Sequence, residues 1–222
     1  MTNACPAKRS EDGTNDQFIS AKSEGRRRMK PDFQISFNKA LLNEGLISNN
    51  KSDHGGFTGI YPDSIGEGIS RTKHPSWPGW KIIDATVTSK LKNNDQLNQL
   101  VKEFYRTEFW NKIQGALLPS QLIADELFES SINLGVPAAS EILQRTANLL
   151  NRNARLYLDI MVDGIIGTQT LAALNKSIAA NGEKLLFNLL NFYQAKHYIE
   201  IMERDHTQEI FIGWFSRIDI IK

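Results

Sequence analysis

The amino-acid sequence predicts a mainly α-helical protein in which a short irregular segment, able to hold brief β-strands, follows the first helix. Apolar residues recur at intervals of three and four from residue 94 to about residue 204, which is the period of helices with one buried face. Glycine and proline concentrate between residues 45 and 84, where no long helix is expected. With 222 residues, 41% of them hydrophobic, the chain suffices for one large domain or two small ones.

Residues 1–30 are predicted to be a disordered, basic N-terminal tail. They contain seven of the 26 Lys and Arg residues and four of the 25 Asp and Glu residues. The remainder of the chain therefore has 19 basic and 21 acidic residues, so the basic excess lies in the tail. Few large apolar side chains are available there to form a core. A solvated leader is favoured over an export tag or a patch for anionic surfaces, although Arg26 to Arg28 would suit either.

Composition also excludes several classes of function. A net charge of +1 gives no general case for nucleic-acid binding, and the single cysteine, Cys5, cannot form an intrachain disulfide. No apolar run is long enough for stable membrane insertion, and residues 1–20 lack the apolar core of a classical signal peptide. No P-loop or Cys/His metal pattern occurs, so neither cofactor nor metal is expected.

The first helix is expected to begin at residues 31–32 and to stop at Gly45. Phe33 and Phe37, four residues apart, begin its apolar face. Glu44 then falls in the last turn, where the negative end of the helix dipole disfavours ionisation and raises a carboxyl pKa. A general acid for a reaction near neutral pH needs such a shift.

The irregular segment that follows supplies the other candidate site residues. Asp53 is a second carboxylate, and Gly55 and Gly56 would allow the backbone to approach a ligand closely. Trp77 and Trp80 flank Pro-Gly, and each indole could stack on a sugar or fill the core under a long loop.

The remainder of the chain is predicted to form successive helices with short connections, and residues 156–167 form an irregular connector. Proline near a start and glycine just past an end mark several of their bounds. The expected helices lie at 94–113, from Pro119 to Gly135, from Pro137 to about 150, from an N-cap at Thr168 to near Gly182, and at 183–204.

Two motif sets together resemble a known family. Glu44-Gly45, Asp53, Gly55-Gly56, Thr58 and Gly68-Ile69, followed by the 77–84 run, resemble the catalytic motif of glycoside hydrolase family 108. These are peptidoglycan-cleaving N-acetylmuramidases of lysozyme-like fold. Residues 131–135, 143–144 and 162–171 resemble the predicted peptidoglycan-binding domain that usually follows, so the resemblance covers about 31–220.

The resemblance implies a lysozyme-like catalytic domain at 31–114 and a helical peptidoglycan-binding domain at 115–222, packed together. Glu44 would be the proton donor. By analogy with phage-type lysozymes, Asp53 and Thr58 would hold the attacking water and give inversion. Gly55, Gly56, Trp77 and Trp80 would bind substrate, and no step needs a metal. The reserve candidates for the second carboxylate are Asp63, Glu67 and Asp84, and His54 could act as an acid or base, although a solvated loop histidine is favoured.

The sequence departs from the family motif in two places. Leu46 and Ile47 stand where the family usually has Gly-Tyr, and residues 59–67 are inserted before the Gly-Ile pair. An insertion beside the cleft would alter substrate access, cover the site or bind a partner. It also makes Thr58 the least secure of the assignments.

The expected function is cleavage of the β-1,4 bond between N-acetylmuramic acid and N-acetylglucosamine. The protein would act as an endolysin, a secretion-linked wall enzyme or an antibacterial effector. Its partners would be glycan strands, a secretion or holin system and an immunity protein, and it would reach the periplasm or cell wall by export or lysis. The alternatives are a non-catalytic peptidoglycan-binding or secretion-helper protein and a helical adaptor unrelated to the wall.

Overall fold

The computed structural model describes residues 30–43, 69, 71, 73–86, 88–91 and 93–222. Within these ranges the chain forms α-helices joined by short π and 3₁₀ turns and contains no strand. The α-helices are α1 Phe33–Asn43, α2 Gly79–Ala85, α3 Thr88–Leu91, α4 Asp95–Tyr105, α5 Gln121–Leu134, α6 Val136–Leu150, α7 Thr168–Asn181 and α8 Glu183–Arg204. A π-helical turn, Arg106–Trp110, extends α4, and 3₁₀ turns occupy Gly115–Leu117 and His206–Arg217.

Helix α5 is the central helix of the described fold. It packs against α1 on one side and against α6 and α8 on others. From 123 to 131 every residue except Asp125 is buried, so this helix is surrounded rather than amphipathic. Ser120 caps its start, accepting a hydrogen bond from the Ile123 N–H at 3.3 Å, and Gly135 ends it with φ of 86°.

An aromatic cluster joins α1 to α4, the π turn and α5. The Phe33 ring lies 5.4 Å from Phe37, 5.7 Å from Trp110 and 5.9 Å from Phe128, measured between centroids. Phe37 in turn lies 5.7 Å from Tyr105. Edge-on and offset contacts of this kind add to the stabilisation that comes from apolar burial. The apolar face predicted for α1 is therefore the face that fixes this helix in the fold.

Polar contacts set the position of α1 along α5. The Asp32 N–H donates to Gln121 Oε1 at 2.7 Å, and the Ser36 hydroxyl donates to Asp125 Oδ1 at 2.6 Å. The Gln121 amide also donates to Ser36 Oγ at 2.9 Å and to Asp125 Oδ1 at 2.6 Å. The three bonds between side chains involve partly buried groups, and breaking one would leave its partner unsatisfied. They resist sliding of α1 toward or away from the site that follows it.

In the C-terminal half, a buried glutamine holds the connector between α6 and α7. Gln144 Oε1 accepts the N–H groups of Asp163 at 3.0 Å and Gly164 at 2.9 Å, while its amide donates to the Ile165 carbonyl at 3.0 Å. Gly164 has φ of 73°, and a Cβ there would lie 3.2 Å from the Pro137 carbonyl oxygen. The Asp163-Gly164 motif therefore has a structural reason in this chain.

The observed helices confirm the mainly α-helical prediction, with local corrections. The segment predicted as one helix at 94–113 is α4 with a π-helical extension that ends at Trp110, and α5 begins at Gln121 rather than at Pro119. Thr168 is not the N-cap of α7, because Gly167 holds that position with extended backbone and Thr168 is the first helical residue. Helix α8 has the predicted bounds. The predicted β-containing segment falls mostly on residues 44–68, outside the described residues, as does nearly all of the 1–30 tail.

The predicted boundary between two domains, at residues 114 and 115, stays a prediction. None of the helices in the described part of the chain could span a membrane.

Candidate active site

The first feature of the candidate site is the anchored end of α1. The helix ends at Asn43 in the structure, so Glu44 is the next residue along the chain. Ala40, one turn before that end, is buried, and Lys39 Nζ lies 4.0 Å from Asp125 Oδ2. The helix that leads to Glu44 is thus held by both apolar and polar contacts until its last turns.

The proposed catalytic residues themselves lie outside the described residues. This applies to Glu44, Asp53 and Thr58, to the glycines Gly55 and Gly56, and to the reserve candidates His54, Asp63 and Glu67. The insertion at 59–67 also lies there. Their assignment stays a prediction, and the described geometry concerns the segments that precede and follow them in the chain.

The segment that follows them in the chain packs around Trp80. This residue is only 5% exposed, and its indole N–H donates to the His74 carbonyl at 2.7 Å. The Arg71 guanidinium lies 4.4 Å from the ring centroid, a cation–π distance. The arrangement favours the core-filling alternative for Trp80, because a covered ring offers no face for stacking on a sugar.

Trp77 is placed differently from Trp80. It is half-buried and meets Trp80 edge-on, with the ring centroids 4.9 Å apart. A Cβ at Gly79 would lie 2.2 Å from the Trp77 ring, so the indole rests directly on the glycine backbone. The Trp-Pro-Gly-Trp sequence is therefore a packing unit, and of its two indoles Trp77 is the one with accessible surface.

Asp84, a reserve candidate, is engaged in an exposed ion pair. Arg71 Nη2 lies 2.7 Å from Asp84 Oδ1, and Nη1 lies 3.3 Å from Oδ2. The hydrogen bond from Arg71 lowers the pKa of Asp84 below its usual value. A carboxylate with a lowered pKa that is already paired with a guanidinium is a weaker base, so this arrangement does not favour Asp84 as the second carboxylate that activates water.

Sequence reasoning missed two buried carboxylates on α5. Burial raises the pKa of Glu126 to about 7, an effect that a hydrogen bond with Asn191 opposes and the neighbouring Glu129 charge reinforces. Ser130 Oγ lies 3.5 Å from Glu126 Oε1 and 2.9 Å from Gln194 Oε1 on α8. Glu126 follows Leu122 and Ile123 by four and three residues, and this spacing is the sequence signal that could have indicated its burial.

The second carboxylate, Glu129, faces the end of the chain. Arg217 Nη1 lies 3.9 Å from Glu129 Oε1, and both side chains are largely buried. The α5–α8 interface therefore contains a polar network that ties the C-terminal segment to the central helix. Within the described ranges, no group of three His, Cys, Asp or Glu residues is arranged to hold a metal ion.

Comparisons with known proteins agree with the motif resemblance. Residues 37–135 match the family described as glycosyl hydrolase 108, and residues 138–219 match the family described as predicted peptidoglycan domain. The solved structure of Brucella abortus SagA is similar, with a TM-score of 0.56 and 22% sequence identity over 84% of this chain and 88% of that chain. At this identity the likeness supports the fold alone, and a comparison with curated proteins gives no match.

The order of the two family matches places α5 in the first and α6, α7 and α8 in the second. The extensive packing of α5 against α6 and α8 joins the two parts into one body. The chain is therefore a glycoside hydrolase of lysozyme-like helical fold, composed of a glycosyl hydrolase 108 domain followed by a predicted peptidoglycan domain.

Proposed function

We propose that the protein is an N-acetylmuramidase that cleaves the β-1,4 bond between N-acetylmuramic acid and N-acetylglucosamine, with Glu44 as the general acid. The observation that carries the proposal is the position of Glu44 directly after an anchored α1, inside the glycosyl hydrolase 108 match. The predicted peptidoglycan domain supports peptidoglycan as the substrate and the cell wall as the place of action.

In the proposed mechanism, Glu44 donates a proton to the glycosidic oxygen as the bond to the sugar breaks. Positive charge develops on the sugar ring in an oxocarbenium-like transition state. Asp53 takes a proton from the attacking water, which Thr58 helps to orient, and the product has inverted configuration. The negative end of the α1 dipole would raise the pKa of Glu44 and so increase its protonated fraction.

The segment that contains Trp77 and Trp80 has a supporting role in this proposal. Trp77 is the indole proposed to contact substrate, because it keeps accessible surface, whereas the contact of Arg71 with Trp80 helps to hold the segment in place. Gly55 and Gly56 are proposed to let the backbone approach the sugar.

The biological setting is also a proposal. Endolysin, secretion-linked wall enzyme and antibacterial effector are all compatible with peptidoglycan cleavage, and each implies a different partner: a holin, a secretion apparatus or an immunity protein. The predicted peptidoglycan domain at 138–219 is the observation that also favours the second candidate, a peptidoglycan-binding protein without catalysis.

Release of soluble muropeptides from purified sacculi separates these candidates. Wild type should release them, and Glu44→Gln should lower the rate by at least about 100-fold, the lower range for a lost general acid. Glu103→Gln, which removes an exposed carboxylate from α4, serves as the matched control and should keep wild-type activity. If wild type releases nothing while still binding sacculi, the non-catalytic candidate is favoured.

A further inference from the structure

A groove of about 740 Å³ lies between α6 and α8. From α6 it is lined by Glu141, Ile142, Arg145 and Leu149, which share one helix face because they are three or four residues apart. Ile142 is buried at the base of this wall, whereas Leu149 is 59% exposed. The groove therefore combines an apolar base with a charged rim, and its volume falls in the range of about 300–1,000 Å³ typical of ligand sites.

The facing wall comes from one face of α8, where Tyr193, Lys196, His197 and Glu200 line the groove. Burial lowers the pKa of His197, although the Glu200 charge opposes this shift. The imidazole is then neutral near pH 7 and can both donate and accept a hydrogen bond. Tyr193 adds a half-buried ring with a hydroxyl.

Each wall of the groove carries one ion pair between residues four positions apart. On α6, Arg145 Nη2 lies 3.4 Å from Glu141 Oε2, and on α8 Lys196 pairs with Glu200. All four side chains are substantially exposed, and surface pairs of this type contribute only about 0–1 kcal/mol. A ligand that carries carboxylates and an amine could form ion pairs with these side chains in place of their present partners, at little cost in free energy.

One end of the groove is fixed by the connector between α6 and α7. Asn148 Nδ2 donates to the Ile160 carbonyl at 2.8 Å, and Asn148 Oδ1 accepts the Ile160 N–H at 2.9 Å. This two-point bond holds the segment that brings Val162 to the groove. The site is thus framed by two helices and a pinned loop, without a need for large rearrangement on binding.

We propose that this groove binds the stem peptide of peptidoglycan. Every residue that lines it lies within 138–219, the match to the predicted peptidoglycan domain. Stem peptides are short and carry free carboxylates and amines, which complement the cation and carboxylate on each wall. The glycan of the intact polymer is uncharged where the lactyl group is joined to the peptide, so the charged walls favour the peptide over the sugar chain.

This inference rests on the proposed function, because it takes peptidoglycan to be the substrate. Peptide binding in the groove would hold the polymer on the enzyme while its glycan enters the catalytic cleft. The expected kinetic signature is a change in KM for sacculi with little change in kcat. The groove residues are therefore binding residues, separate from the proposed proton donor.

The direct test uses the full chain and a synthetic stem tripeptide, L-alanyl-γ-D-glutamyl-meso-diaminopimelate, titrated in a calorimeter. The double variant Arg145→Gln/Lys196→Gln should bind the tripeptide at least ten-fold more weakly than wild type. The control Arg155→Gln/Lys176→Gln removes one arginine and one lysine at exposed positions outside the groove and should bind like wild type. Circular dichroism and thermal unfolding of both variants verify that each is folded.

A second arm uses glycan strands from which an amidase has removed the peptides. The proposal expects the groove variant and wild type to bind these strands equally. It is overturned if wild type does not bind the tripeptide, if the groove variant binds it as well as wild type does, or if the groove variant loses binding to the bare strands. Tripeptide binding by a wild-type protein that releases no muropeptides would contradict the proposed catalysis and leave the groove assignment standing.

Discussion

Replacement of Glu126 by glutamine should stabilise the protein at alkaline pH. The carboxyl is 6% exposed, and burial raises its pKa from 4.5 to about 7. The groups that act on it are Glu129 on α5, Lys39 on α1, Asn191 on α8 and Asp219 in the C-terminal segment. Glutamine has nearly the same shape and remains neutral, so it imitates the protonated acid.

The sign follows from proton binding. The folded state holds the Glu126 proton more tightly than the unfolded state, so the free energy of unfolding falls as pH rises from about 4.5 to about 7. A shift from 4.5 to about 7 corresponds to roughly 3 kcal/mol, at about 1.4 kcal/mol for each pKa unit. Above about pH 7 the loss of unfolding free energy caused by Glu126 stays constant, and below about pH 4.5 there is no loss.

Urea unfolding at pH 4, 6 and 8 measures this effect. Glu126→Gln should match wild type at pH 4 and exceed its unfolding free energy by up to about 3 kcal/mol at pH 8. Glu203→Gln, at an exposed position on α8, is the control and should follow wild type at each pH. The reasoning is refuted if Glu126→Gln is no more stable than wild type at pH 8 and shows the same dependence on pH.

Three further predictions test local features of the fold. Gly79→Ala should displace the Trp77 ring, because the new Cβ would lie 2.2 Å from a ring atom. The unfolding free energy should fall by about 1–3 kcal/mol and the tryptophan fluorescence should change. Unchanged fluorescence would contradict this packing. Ala154→Gly should raise the unfolding free energy by about 0.5–1 kcal/mol, because Ala154 has φ of 58°, a left-handed conformation that strains every residue except glycine. The control Ala172→Gly, on the exposed face of α7, should lower the unfolding free energy by about 1 kcal/mol. Changes of the same sign in the two variants would refute the strain at Ala154. Gln144→Leu should lower the unfolding free energy by about 2–4 kcal/mol, because the N–H groups of Asp163 and Gly164 lose their acceptor. A loss below about 0.5 kcal/mol would show that the hydrogen bonds of Gln144 do not hold the connector.

The sequence allowed the helices to be predicted well because their limits are local. Proline, glycine and the apolar period near 119–150 and 183–204 act within a few residues, and the observed helices follow them. The N-cap at Thr168 was wrong because the extended backbone of Gly167 already serves as the start of α7. Such a difference of one residue depends on the backbone angle, which composition does not determine.

What the sequence did not show depends on contacts between distant segments. Glu126 and Glu129 look like ordinary helix-surface residues, and only the packing of α8 and the C-terminal segment over α5 buries them. The groove likewise needs α6 and α8 side by side, although their residues are about 50 positions apart. The catalytic motif was found through its order of residue types, and its geometry lies outside the described residues.

The most direct test of the central claim is the chemical identity of the reducing ends released from sacculi. After digestion, borohydride reduction and mass spectrometry, wild type should yield muropeptides that end in muramitol, and Glu44→Gln should yield at least about 100-fold less. Products that end in reduced glucosamine, or equal yields from wild type and Glu44→Gln, would contradict an N-acetylmuramidase that uses Glu44 as its acid.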